Sequence, residues 1–242
     1  MVRLMIPGML KGFLLSIWHR ILAAEARKPS WVLANYTAGR LAKHNSSTNN
    51  WVVSLMNVQP EDSVLEVAYG PGCALEKVSA QASRGFVAGV DVSPSMYKAA
   101  YKRNKASIES GRVRLHCCDA LSIPYPHSHF DKLYAINVAY FWYDTSAYLR
   151  ELFRVLRPGG RAFVSITDKD SLEKIPVSSS NVFKKFSEPQ FASLLREAGF
   201  GNITIHSLPR NVRNLVSVSV CFVAQKEEGG AGQVETATPV AR

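Results

Sequence analysis

The 242-residue sequence predicts an α/β fold: a doubly wound, mostly parallel sheet of seven strands with an antiparallel C-terminal strand, plus an N-terminal helical extension. Three observations lead to it. Between residues 61 and 225, short β-rich apolar runs alternate with segments of helical periodicity, the pattern of strand–helix–strand crossovers. A Gly70-Pro71-Gly72 turn joins the first run to the first helix. The last two runs are joined by a link too short for a crossover helix, so they must pair as an antiparallel hairpin.

Taken in order, the first strand is Ser63–Ala68, an unbroken apolar run apart from Glu66, as expected of a strand covered on both faces. A helix follows from Cys73 to about Ala82, then a strand from Phe86 to Val90 that ends at Asp91. Ser93-Pro94 supplies an N-cap and a first-turn proline for the next helix. Val113–Cys118 and Phe130–Ile136 are the third and fourth strands. A helix from about Thr145 to Leu156 stops at Arg157-Pro158-Gly159-Gly160, and Arg161–Thr167 is the fifth strand. Ser187-Glu188-Pro189-Gln190 reads as a capping box opening a helix that ends at Gly199. Ile203–Leu208 and Leu215–Ala224 complete the sheet.

Composition narrows the class. With 47% hydrophobic and 20% charged residues the chain can bury one sizeable core, which excludes a disordered chain, a collagen-like repeat and a disulfide-stapled miniprotein. Cys73, Cys117, Cys118 and Cys221 form no CxxC pair and sit in apolar runs, as buried thiols of a reducing compartment do. A cytoplasmic location is therefore expected, with a mitochondrial one as the alternative. No metal-ligand spacing is present, so no metal is expected.

The net charge of +10 is uneven. Residues 1–60 hold Arg3, Lys11, Arg20, Arg27, Lys28, Arg40 and Lys43 against the single acid Glu25. Within this extension, Leu10, Phe13, Leu14, Ile17, Trp18, Ile21 and Leu22 keep one helical face. Three readings stay open: a lid over the main domain, a basic helix in peripheral contact with a membrane surface, and a targeting segment. A polar connector of two short helices leads from Lys28 into the main domain, residues 61–225. Residues 226–242 read as a disordered, dispensable tail.

The chemistry is expected at the glycine turn. Glycines there let a ligand approach the backbone, and the following helix offers free N–H groups. Asp91 ends the second strand 21 residues after Gly70, where an acid can accept both hydroxyls of a ribose. Cys118-Asp119-Ala120 brings another acid to the same edge. Neither a three-glycine dinucleotide motif nor a phosphate-loop lysine is present, which disfavours nicotinamide and nucleoside triphosphate chemistry.

These residues resemble the class I S-adenosylmethionine-dependent methyltransferases. VLEVAYGPG is similar to their first motif, VAGVDVSPSM to the second, CCDALSIPYPHSHFD to the third and fourth, and ELFRVLRPGGR to the segment after. The likeness covers about residues 51–225 and is strongest to the small-molecule branch of quinone and sterol methyltransferases. It implies a Rossmann-like fold, S-adenosyl-L-methionine as cofactor, and in-line methyl transfer to a small-molecule acceptor. It implies that Glu66, Gly70 and Gly72 line the methionine moiety, Asp91 the ribose, and Asp119 with Ala120 the adenine edge. Ser93 and Met96 match the stretch beside the adenosine, Asn137 the position flanking sulfonium and acceptor, and Ala68, Tyr69 and Val92 complete the motif positions. Ala68 departs from the family glycine, a change tolerable if φ stays negative there.

No catalytic base is assigned. His127, His129, Tyr140, Tyr143 and Asp144 are the candidates, and Tyr140-Phe141-Trp142-Tyr143 reads equally as acceptor wall or core plug. Tyr69 and Tyr36 either cap the cofactor or pack. A non-catalytic cofactor-binding scaffold and a nucleic-acid methyltransferase are the alternatives; the second is disfavoured because no RNA module or aromatic–basic strip is present.

Overall fold

A computed structural model describes residues 46–174, 183–212 and 215–228. The helix of residues 10–22, the first connector helix, Tyr36 and most of the tail lie outside the described residues. Helix α1 covers residues 46–56. Then follow β1 (Ser63–Val67), α2 (Cys73–Gln81), β2 (Phe86–Asp91), α3 (Pro94–Arg103), α4 (Lys105–Glu109), β3 (Val113–Cys117) and β4 (Phe130–Ile136). A 3-10 turn, Ala139–Phe141, leads to α5 (Thr145–Val155), β5 (Leu156–Thr167), α6 (Lys169–Glu173), α7 (Glu188–Glu197), β6 (Gly201–Val212) and β7 (Leu215–Gln225).

The seven strands lie in the order β3-β2-β1-β4-β5-β7-β6. Strands β1 to β5 are parallel, and β7 runs antiparallel between β5 and β6. Strand order reverses between β1 and β4, which opens a crevice at the carboxyl ends of these strands.

The sheet is apolar on both faces because a helical layer covers each. Val52 and Met56 of α1, Leu75 and Val78 of α2, and Ala100 of α3 pack one face, against Val64, Val87 and Phe163. Leu149 and Leu152 of α5 and Phe191 and Leu195 of α7 pack the other, against Leu65, Leu133 and Phe222. The caps read from sequence are present: Ser93 accepts from the Met96 N–H, and Ser187 with Gln190 forms the reciprocal box.

Several boundaries differ from the sequence reading, among them β6, which runs over Gly201–Val212 rather than Ile203–Leu208 because its pairing with β7 continues to Val212 and Leu215. Strand β1 stops at Val67, because Ala68 turns to φ 57°. Strand β5 begins at Leu156 rather than Arg161: the Gly159 N–H donates to the Lys226 carbonyl at 2.6 Å, and the Lys226 N–H to the Gly160 carbonyl at 3.0 Å. The ordered chain accordingly runs past residue 225. Lys226 Nζ donates to the carbonyls of Phe153 and Leu156 at the end of α5, at 2.9 and 2.8 Å. The cysteines also differ: Cys221 is buried, Cys73 and Cys118 are half-buried, and Cys117 is exposed on the edge strand β3.

Candidate functional site

The turn after β1 carries the strain of the site. Ala68 (φ 57°), Gly70 (φ 52°) and Gly72 (φ 74°) are all left-handed, so the chain reverses over five residues and delivers Gly72 as the N-cap of α2. The two glycines serve different ends. A Cβ on Gly70 meets no atom within 4 Å, so the backbone there faces open space. A Cβ on Gly72 lies 2.6 Å from Asn104 Nδ2 and 2.9 Å from Ala100 Cβ, so this glycine lets α3 close on the turn. Asn104 Nδ2 donates to the Gly72 carbonyl at 3.2 Å, and Arg103 Nε to the Pro71 carbonyl at 3.1 Å. The end of α3 thus holds the turn in place.

Asp91, at the end of β2, turns its carboxylate on that loop. Oδ2 accepts the Gly70 N–H and Oδ1 the Ser93 N–H, each at 2.8 Å. Each oxygen keeps a second lone pair, the pair of acceptors a ribose diol needs. Burial raises the Asp91 pKa, and the two backbone N–H groups oppose that rise. Val92 beside it is exposed, whereas Met96 is buried under the first turn of α3.

Glu66 lies within β1, pointing to the face covered by α2. Tyr134 of β4, its register neighbour, donates its hydroxyl to Glu66 Oε2 at 2.8 Å. Burial pushes the Glu66 carboxyl up to about 8; Tyr134 opposes, the nearby Asp91 adds, and the Leu75 backbone opposes. A neutral, buried acid beside the glycine turn is suited to meeting a cation that restores its charge.

Asp119 and Ala120 follow β3 on the same edge; Asp119 is exposed and its Oδ1 accepts the Leu121 N–H at 3.0 Å. Asn137 follows β4 with φ 56°, a conformation asparagine adopts more readily than other non-glycine residues. Its N–H donates to the Ser165 carbonyl at 2.8 Å, and its Oδ1 accepts the Tyr140 hydroxyl at 2.9 Å. Tyr140 in turn accepts the Thr167 N–H, tying the ends of β4 and β5 together. Glu66, Gly70, Asp91, Asp119 and Asn137 therefore share the carboxyl edge of the sheet.

Other candidates are placed elsewhere. The Tyr69 side chain is 3% exposed, packs against Gly89 in the core and donates to the His116 carbonyl at 3.2 Å, so only its backbone faces the turn. His127 and His129 precede β4 at the amino edge, where His129 packs on Tyr125 and Phe130 with centroids 4.9 and 4.8 Å away. Seven residues of β4 separate them from the crevice, roughly 20 Å at the usual strand rise, so neither is a base there. Asp144 caps α5 through the Ala147 N–H. Trp142 stacks on Tyr148 at 5.1 Å and is core, whereas Tyr143 is 63% exposed. The aromatic run is thus mainly a plug. Ala68 fails the condition set from sequence, because its φ is positive.

Sequence reasoning missed Tyr134 and Asn104. Tyr134 was findable in principle, since the β1–β4 register places it opposite Glu66. Asn104 had no signal, because its role depends on how closely α3 approaches Gly72.

Similarity to known proteins falls on this same region. A methyltransferase-domain family model matches residues 65–164. "Uncharacterized methyltransferase YdaC" of Bacillus subtilis is 28% identical over 186 residues, 77% of this chain and 95% of that protein. The ubiquinone/menaquinone biosynthesis C-methyltransferase UbiE of Geotalea daltonii is 26% identical, over 67% of this chain and 80% of its own. The O-methyltransferase cnsE of Penicillium expansum is 28% identical over 59% of this chain, which spans about half, 54%, of that protein. Among solved structures, the [4+2]-cyclase SpnF superposes with a TM-score of 0.65 at 20% identity, covering 76% of this chain and 82% of its own. A Haemonchus contortus phosphoethanolamine N-methyltransferase in complex with S-adenosyl-L-methionine gives 0.62 at 16% identity, over 75% of this chain and 53% of its own. These two structures establish the shared fold.

Proposed function

Because this chain is a class I S-adenosylmethionine-dependent methyltransferase of the small-molecule branch, we propose that its crevice holds the cofactor alongside the Gly70 turn and Asp91. One observation carries the reading: the Asp91 carboxylate is hydrogen-bonded to the Gly70 N–H at 2.8 Å, and the backbone of that same glycine borders open space. The residues present fit the group. Asp91 offers two acceptors for a ribose diol, Gly70 leaves its backbone open to the methionine chain, and Glu66 regains its charge beside an ammonium. Asp119 and Ala120 border the adenine, with Val92 and the Ser93–Met96 turn along the adenosine, and Asn137 stands between cofactor and acceptor.

When bound, the cofactor supplies a methyl group already activated as a sulfonium. The task left to the protein is alignment: holding an acceptor atom in line with that methyl can supply roughly 7–11 kcal/mol of barrier reduction. Asn137, pinned at both its N–H and its side chain, is rigid enough to orient an acceptor. Relatives named for quinone C-methylation and for O-methylation support a small, ring-bearing acceptor. Among the described residues no helix is long and apolar enough to cross a membrane. A cytoplasmic setting is proposed.

Transfer of tritium from S-adenosyl-[methyl-³H]methionine to a panel of naphthoquinols, phenols and catechols tests this. Label in at least one extracted product is expected. Binding of the cofactor with no transfer to any ring-bearing acceptor contradicts the acceptor class.

A further inference from the structure

A carboxylate with an unspent oxygen stands at the same edge of the sheet, outside the stretch the family model matches. Asp168 directly follows β5. Its backbone is fixed, since its N–H donates to the Val218 carbonyl at 3.0 Å. One carboxylate oxygen is also spent: Oδ1 accepts the Ser171 N–H at 3.0 Å. Among the described residues Oδ2 is buried with no partner. A carboxylate oxygen kept from water without a donor is costly, and a catalytic role is one reason a native fold retains such a group.

The neighbourhood says which ligand. Asp168 adjoins Thr167, whose N–H is held by the Tyr140 hydroxyl, which in turn donates to Asn137. Asp168 is therefore one residue along the chain from the network that fixes the acceptor-side asparagine. The rings of Tyr140, Phe141 and Phe183 cluster there, with centroids 5.0 to 5.9 Å apart. Tyr140 is buried in this cluster while Phe141 and Phe183 are half-buried, so apolar ring faces and an unpartnered acceptor oxygen occur at the same end of the sheet, a combination that suits a planar molecule carrying a hydroxyl.

We propose that Asp168 is the general base for methyl transfer to a hydroxylated aromatic acceptor, with oxygen as the atom methylated. This rests on the cofactor reading above. The acceptor O–H bond breaks and its proton passes to Asp168 Oδ2. The oxygen's freed electron pair forms the new bond to the methyl carbon. The carbon–sulfur bond to that methyl breaks, its electron pair stays on sulfur, and S-adenosylhomocysteine leaves. Asp168 then returns the proton to solvent. No oxidant or reductant is needed.

The probe is 4-nitrocatechol, whose absorbance reports both binding and methylation. Asp168→Asn and Asp168→Ser both keep a side chain able to cap the following turn, so the fold is preserved by either. Full-length wild type is expected to bind S-adenosylmethionine, to bind 4-nitrocatechol in the presence of S-adenosylhomocysteine, and to methylate it. Both variants should keep cofactor affinity within about threefold, bind the catechol about tenfold more weakly, and lose transfer by about a hundredfold or more, the usual range for a removed base. Variants that bind and methylate the catechol like wild type overturn the proposal. So does a wild type that binds S-adenosylmethionine but neither binds nor methylates the catechol. A wild type that does not bind S-adenosylmethionine fails one step earlier and overturns the cofactor reading together with this one.

Discussion

Glu66 and Ala68 lie two residues apart, and both set stability against function. With its carboxyl raised by burial from 4.5 to about 8, Glu66 binds a proton more tightly folded than unfolded. Its contribution is therefore complete at low pH and is lost as pH rises from about 4.5 to about 8, at up to roughly 1.4 kcal/mol per pH unit. Thermal unfolding without cofactor, compared between wild type and Glu66→Gln across that window, should show the variant losing less with pH. Parallel curves contradict the assignment. At Ala68 an L-residue sits at φ 57°, a conformation costing roughly 1–2 kcal/mol. Ala68→Gly relieves it but loosens the unfolded chain by about 0.4–1 kcal/mol. A net gain near 0.5–1 kcal/mol, or about 1–4 °C in Tm, is expected. Ala68 itself was visible as a departure from the motif; its φ was not, because one residue's backbone angle depends on where the next strand lies.

At the scale of elements, the turn between β1 and α2 divides its labour between two glycines. Gly72→Ala puts a methyl 2.6 Å from Asn104 Nδ2 and 2.9 Å from Ala100 Cβ, so it should separate α3 from the turn and cost about 2 kcal/mol or more. Gly70→Ala pays only the cost of its left-handed φ, but projects a methyl into the open crevice. Calorimetry should find cofactor affinity lower by tenfold or more in Gly70→Ala, at a stability loss smaller than that of Gly72→Ala. Equal effects on both properties contradict the division. Lys226 makes a similar point at the end of α5. Its ammonium satisfies two carbonyls and lies 4.5 Å over the Phe153 ring. Lys226→Met should lower stability by about 1–3 kcal/mol, read by urea unfolding. The sequence placed Lys226 in the tail, because a lysine before a Gly-rich run carries no periodic signal. The caps at Ser93 and Ser187 were legible because capping is decided within four residues.

Across the whole molecule, alternation of strand and helix settled the sheet, and the short hairpin link settled the antiparallel strand, since both follow from chain length and local pattern alone. What pattern could not supply was depth. His127 and His129 were base candidates by residue type, in the loop before β4, yet stand at the edge opposite the crevice, because a parallel strand separates its two ends by its full length. Tyr69 lies within the motif, yet points into the core. Two strand-end acids were legible, and the structure sets them on one edge: Asp91 is hydrogen-bonded to the Gly70 turn and Asp119 follows β3, whereas Asp168, after β5, carried no motif that singled it out. Calorimetric titration of the full-length chain with S-adenosylmethionine, alongside Asp91→Asn of unchanged circular dichroism, reaches the centre of this account. One-to-one saturable binding by wild type, weakened about a hundredfold in the variant, is the predicted result. Folded wild type that takes up no cofactor, or a variant that binds as tightly as wild type, would contradict it.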